Sequence, residues 1–298
     1  MMKVEALITE RLGDFREYCE RHRKELDDSF LYDEDLQNFK IDAENPTYIL
    51  TDTRGDIKGA ASIILDDYHR RGNRARFRIF HCESQEEQNY KMLFAEILKH
   101  TNSLEHVFLF VPLVNQELQD VMEKLKFGVE RYTFLLVRED LDVLDPSLPE
   151  GFEIRSFRPG VDEDAWCRVR NAAFSMLKGS ETEITPDMVA KLSSESDYLD
   201  GGMMILYENE KPVGVVRGAD DEYEDSPIMN IGPLAILPEY QGKGLGRALL
   251  RAAIKFSKEK GYKRCVLCVN AENEQAKALY LQEDFDQTEG VVCYRYEL

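Results

Sequence analysis

The residues best placed to do chemistry are Gln241-Gly242-Lys243-Gly244-Leu245-Gly246-Arg247, where three alternate glycines join a strand-like run, Ile228 to Leu237, to a helix-like run, Leu245 to Lys260. Without Cβ atoms at 242, 244 and 246, the chain can wrap so that successive backbone N–H groups point at one anion. The positive end of the helix dipole then sits behind that anion, and Lys243 and Arg247 can add charge. The spacing excludes two other glycine-rich loops. A dinucleotide fingerprint needs its third glycine where this chain has Arg247, and a Walker loop needs Ser or Thr where it has Gly244.

What remains, Gln-x-x-Gly-x-Gly after Leu234-Ala235-Ile236-Leu237-Pro238-Glu239-Tyr240, resembles the GCN5-related N-acetyltransferases. The resemblance implies that residues 241 to 247 hold the pyrophosphate of acetyl-CoA as co-substrate. It also implies that the preceding strand splays from its neighbour, so that Leu234, Ala235 and Ile236 pair with pantetheine and a backbone N–H near Leu234 or Ala235 is the oxyanion donor. The segment Asn270 to Tyr280 resembles the second CoA motif of that family. By that likeness Asn273 hydrogen-bonds the cofactor arm, Ala276 lets the cofactor pass close, and Tyr280 is the general acid that protonates the CoA sulfur. A phenol of ordinary pKa ~10 suits an alkyl thiolate.

The general base is not legible. All five histidines, His22, His69, His81, His100 and His106, lie in the first half of the chain. Carboxylate candidates sit in Asp220-Asp221-Glu222-Tyr223-Glu224-Asp225, read as a loop before the splayed strand.

The elements that must position these groups occur twice. An offset of 158 maps Phe285 onto Phe127, Asn273 onto Asn115, Arg264–Val269 onto His106–Val111, and Val291–Leu298 onto Thr133–Asp140. Two tandem domains of one α/β fold, each a mixed sheet with helices on both sides, follow from this repeat. They span 1–140 and 152–298, joined by a linker at 141–151 with its breakers at Pro146, Pro149 and Gly151. The layout is similar to that of mycothiol synthase-like acetyltransferases.

The first copy has lost the phosphate turn. Gln241 to Gly246 fall on Glu83-Ser84-Gln85-Glu86-Glu87-Gln88, and Tyr280 falls on Met122. Glutamates in place of donors repel CoA, so this copy is expected to scaffold rather than catalyse. Arg74, Arg76 and Arg78 share one face of its central strand, and pairing with the chain's carboxylates is their expected role.

A net charge of -19 argues against nucleic acid and anionic membranes as partners. No apolar run approaches the ~20 residues of a spanning helix, and the expected location is cytoplasmic. Six scattered cysteines read as reduced thiols; Cys265 and Cys268 form a CxxC, but on a strand they face opposite ways, so no metal is expected.

Together these readings predict transfer of an acetyl group to a primary amine of a small molecule or peptide, in a ternary complex, by a monomer or homodimer. The competing reading is a non-catalytic acyl-CoA sensor or interaction module.

Overall fold

In a computed structural model that describes residues 2–298, the chain forms two compact units. The first runs to Thr133 and takes back Glu289–Leu298; the second is Phe134–Thr288.

The first half of the chain is β1 (Lys3–Ala6), α1 (Leu12–His22), α2 (Asp33–Asn38), β2 (Thr47–Thr51), β3 (Ile57–Ile64), α3 (Asp67–Arg71), β4 (Arg74–Cys82), α4 (Glu87–Leu98), β5 (His106–Pro112), α5 (Gln116–Lys124) and β6 (Gly128–Arg138). In unit 1 the strand order is β1-β2-β3-β4-β5, antiparallel except for the parallel β4–β5 pair. Tyr90, Leu93, Phe94 and Ile97 of α4 pack with Phe77 and Phe80 of β4. Phe15, Tyr18 and Cys19 of α1 form a separate core with Ile49, Ala60 and Ile79.

The second half is β7 (Phe152–Ser156), α6 (Glu163–Phe174), α7 (Pro186–Leu192), β8 (Tyr198–Glu208), β9 (Lys211–Tyr223), β10 (Ser226–Ile236), α8 (Leu245–Glu259), β11 (Cys265–Asn270), α9 (Glu274–Gln282) and β12 (Asp286–Glu297). Its sheet runs β7-β8-β9-β10-β11, followed by the later part of β6. Thr185 caps α7 with Pro186 at the first helical position, as its sequence predicts. Leu245, Ala248, Leu249, Ala253 and Ile254 give α8 its buried stripe, and Gly261, at φ 91°, follows its end.

The repeat holds at element level. Helices α4 and α8 begin at Glu87 and Leu245, and α5 and α9 are capped by Asn115 and Asn273, each pair keeping the offset of 158. One assignment differs from the sequence reading. Val291–Tyr296, read as the last strand of the second copy, pairs antiparallel with β5, and Val292 and Tyr294 join the unit 1 core. Its counterpart β6 likewise sends Leu136 into the core of unit 2. An apolar alternation specifies that a strand has a buried face but not which sheet receives it, so the periodicity carries no information on this exchange.

The linker is ordered by unit 2. Leu141 is buried in its core, Arg138 donates to the Asp142 carbonyl at 2.7 Å, and Lys255 and Lys258 of α8 bind Asp145 and Asp142. Among the described residues no helix is long and apolar enough to cross a membrane.

Candidate functional site

The site begins where β10 leaves β11. Their parallel pairing is registered at Met229↔Cys265 and Asn230↔Val266, while β10 continues along β9 as far as Ile236↔Gly214. The β9–β10 register jumps between Ile231 and Leu234, and the irregularity exchanges the faces of the strand. Met229, Ile231 and Ile236 all face the core under α8, whereas Ala235 packs with Trp166, Val189 and Val215 of the α6 and α7 side. Beyond Asn230 one edge of β10 is therefore open to an extended ligand, and Leu234, Ala235 and Ile236 lie on that stretch.

After β10 a 3-10 turn, Pro238–Tyr240, leads to Gln241, whose side-chain amide donates to the Ile236 carbonyl at 3.1 Å. Gly242 and Gly244 have φ of 74° and 78°, and Gly244 is the N-cap of α8. A Cβ at either would meet nothing within 4 Å, so backbone conformation rather than crowding within the protein calls for glycine. Gly246 differs. It lies inside α8, and a Cβ there would touch Leu279 at 3.7 Å in ordinary contact, so two glycines rather than three shape the turn. The first-turn N–H groups of Leu245, Gly246 and Arg247 are the donors that a helix start leaves unpaired.

The two cations do not contribute equally. Lys243 lies over the Tyr240 ring at 4.8 Å. Arg247 is 3.2 Å from the buried Glu283 and also meets Gln282, so its charge is already partly answered. Glu283 holds Arg251 through two hydrogen bonds of 2.8 and 2.7 Å. A cavity of about 400 Å³ opens beside the turn, walled by Leu148, Pro149, Lys243, Gly244, Arg247 and Arg251, with no carboxylate in its lining. Arg251 and the linker wall escaped the sequence reading, although Arg251 stands one helical turn after Arg247 and was discoverable by that spacing.

Asn273 caps α9 by accepting the Ala276 N–H at 3.3 Å, which fixes these two residues together. Tyr280 is 7% exposed and 6.1 Å from the Phe285 ring. Burial pushes its phenol up to about 12.

The acidic run is not a loop. Asp220–Tyr223 belong to β9, and only Glu224 and Asp225, with φ of 53° and 56°, make the two-residue turn into β10. Pairing with β10 outweighs the poor strand preference of the acids. Arg264 binds Glu224 at 3.0 Å and Tyr262 donates to Asp220. Asp221 accepts from Asn230 Nδ2 at 2.8 Å, beside the last registered pair of β10 and β11.

Unit 1 keeps the splay and closes it. Strands β4 and β5 are in register only from Arg74↔His106 to Arg76↔Phe108. Glu86, the N-cap of α4, has φ −68° instead of a left-handed conformation. Tyr90 OH accepts from the Cys82 N–H and donates to Gln85, while Glu83 takes Lys58 at 2.8 Å. Of the three arginines expected to pair with carboxylates, Arg76 does so with Asp27. Arg78 binds Asn45 at 2.8 Å, and Arg74 lies over the rings of Tyr68 and Phe108. In the CxxC, Cys265 is buried and Cys268 exposed, as alternation requires.

This arrangement, a bulged and splayed strand leading through a left-handed glycine turn into a helix, is that of an N-acetyltransferase fold. Residues 166–285 match the acetyltransferase (GNAT) family, so the chain carries a domain of that family. It is 30% identical over 171 residues to a mycothiol acetyltransferase of Arthrobacter sp. strain FB24 and 31% identical over 179 residues to one of Pseudarthrobacter chlorophenolicus. Each alignment covers 55% of this chain, and the matched regions span about half the length of these curated relatives (52% and 54%). Among solved structures, a GCN5-related N-acetyltransferase from Sphaerobacter thermophilus matches 99% of this chain and 95% of its own, with TM-score 0.72 and 16% identity. A tandem GNAT protein from the clavulanic acid biosynthesis pathway matches 100% and 98%, with TM-score 0.69 and 13% identity. These two likenesses establish the tandem mixed α/β fold.

Proposed function

We propose that the chain is an acetyl-CoA-dependent N-acetyltransferase whose reaction takes place in unit 2. The observation that carries this reading is the open edge of β10 from Ile231 to Ile236, continuous with the glycine turn at the start of α8. An extended pantetheine arm fits the first as an added strand, and a pyrophosphate fits the N–H groups of the second.

In this reading Leu234, Ala235 and Ile236 pair with the arm, and Gln241 to Arg247 hold the pyrophosphate. Lys243 supplies charge at the cavity beside it. The spare amide of Asn273 reaches the cofactor, and Ala276 gives it room. An amine attacks the thioester carbonyl, a backbone N–H near Ala235 stabilises the oxyanion, and collapse breaks the C–S bond. Tyr280, kept protonated by its burial, donates to the departing sulfur. Asp221, beside the start of the splay, takes the proton from the amine, directly or through water.

The relatives named for mycothiol favour a small-molecule amine as acceptor, with peptide amines as the other class. A panel of both, including the mycothiol-type acceptor, assayed for CoA thiol release tests the proposal. Turnover that is lost in Tyr280→Phe supports it. Acetyl-CoA binding without turnover on any amine would favour the sensor reading, and no affinity for acetyl-CoA would reject both.

A further inference from the structure

We propose that His22, Glu25 and His81 in unit 1 form a binding site for a divalent first-row metal ion of the zinc class. His22 ends α1, Glu25 ends the 3-10 turn Arg23–Glu25, and His81 lies on β4. One ligand atom from each lies within 4.8 Å of the other two. The two imidazole rings are 4.6 Å apart and share one carboxylate, His22 Nδ1 at 2.9 Å from Glu25 Oε1 and His81 Nε2 at 3.3 Å from Glu25 Oε2. Two histidines and a carboxylate with a position left for water are a donor set that zinc accepts.

The surroundings fit. The hydroxyl of the fully buried Tyr18 is 2.8 Å from His81 Nδ1 and fixes the ring with Nε2 toward Glu25, the outer-shell contact that metal-binding histidines use. Glu25 is about half exposed, which gives an ion a way in.

A second observation asks for a cation. His22 Nε2 is buried with no hydrogen-bond partner and lies 3.6 Å from Glu83 Oε1. With the proton of a neutral His22 on Nδ1, the Nε2 lone pair faces Glu83; with it on Nε2, the Nδ1 lone pair faces Glu25. Either tautomer sets a lone pair against a carboxylate. A second proton relieves this, and so does a metal ion. With Zn–N bonds of ~2.0–2.1 Å a tetrahedral edge is ~3.4 Å, so the ligands must draw in, and the exposed stem of Glu25 can supply that movement. The bound ion would tie the end of α1 to β4. It would also fix the segment whose Glu25 carbonyl takes the Asn115 amide.

The test uses the full chain, stripped with EDTA and titrated with Co²⁺ and then Zn²⁺. The expected result is saturable Co²⁺ binding with visible d–d absorption and no thiolate charge-transfer band, displacement by Zn²⁺, and a rise in melting temperature. Tyr18→Phe should weaken binding by ~10-fold or more. His22→Gln and Glu25→Gln should weaken it further, with near-ultraviolet circular dichroism matching the parent; Glu25→Gln, at a half-exposed position, guards against misfolding. Absence of saturable binding, affinity unchanged in both ligand variants, or a thiolate band abolished by Cys268→Ser would each overturn the site.

Discussion

Asn115 donates its side-chain amide to the backbone carbonyl of Glu25 at 2.7 Å while its oxygen caps α5 by accepting from Leu118 at 3.1 Å. Asn273 makes the same cap on α9, but its amide nitrogen has no such partner among the described residues. Two equivalent residues thus share one structural duty, and only Asn273 keeps a donor for a ligand. The expected outcome is a single acetyl-CoA site per chain by calorimetric titration. Glu83→Gln, which relieves the acidic replacement of the phosphate turn, should leave the affinity unchanged. Two sites per chain would show that unit 1 also binds the cofactor.

The glycine turn predicts a contrast between neighbours. Gly244→Val places a branched side chain at φ 78°, which costs about 1–2 kcal/mol of stability, and puts Cβ into the space proposed for the pyrophosphate. Acetyl-CoA binding should be lost while the protein stays folded with a lowered melting temperature. Gly246→Ala adds a Cβ in ordinary contact with Leu279 inside a helix, and both binding and stability should hold. Equal loss of binding in both variants would refute the assignment of the turn to the two left-handed glycines.

These two glycines also show how far the sequence could be read. Alternating glycines between a strand and a helix are a local signal, as are the Asn273 cap and the apolar stripe of α8, so the fold of each copy and the turn at the start of α8 are legible in the residues. Interactions set by tertiary structure were not. Glu283 is an ordinary acidic residue in sequence, and only the fold shows it buried against Arg247 and Arg251 and answering part of their charge. The acidic run reads as a loop because its residues are poor strand formers, and partnership with β10 decides otherwise. Strand β12 has the pattern of any half-buried strand, and its pairing with β5 is a property of topology. The His22, Glu25 and His81 cluster joins residues 59 positions apart in the chain at its widest, beyond any spacing rule for metal ligands.

Tyr280 gives a prediction in pH. The acid must be protonated to work, and its pKa is raised, so the active form persists through the alkaline range and is lost only as pH approaches about 12. The kcat profile should therefore show no descending limb from this residue between about pH 8 and 10. Tyr280→Phe should lower kcat by ~10²–10⁴ with acetyl-CoA affinity nearly unchanged. A falling limb near pH 9 that disappears in the phenylalanine variant would mean that the phenol is far more acidic in the working enzyme than its burial implies.

Asp221, paired opposite Ile228, and Asp225, in the turn itself, sit close together on the β9–β10 hairpin but in different surroundings. Asp221 is held by Asn230 at 2.8 Å where β10 parts from β11, whereas Asp225 lies in the exposed turn. If proton removal from the amine takes place at the splay, Asp221→Asn should lower kcat by ~10²–10⁴ at neutral pH, leaving acetyl-CoA affinity intact. Raising the pH should recover part of that loss, because a larger share of the amine then arrives neutral and needs no base. Asp225→Asn should match the parent at every pH, since a surface carboxylate in a turn contributes little at a distance through water. Steady-state rates across pH for the three proteins decide the matter. A parent-like Asp221→Asn variant would remove this carboxylate as the base and leave a water relay, or an amine that arrives deprotonated, to account for turnover.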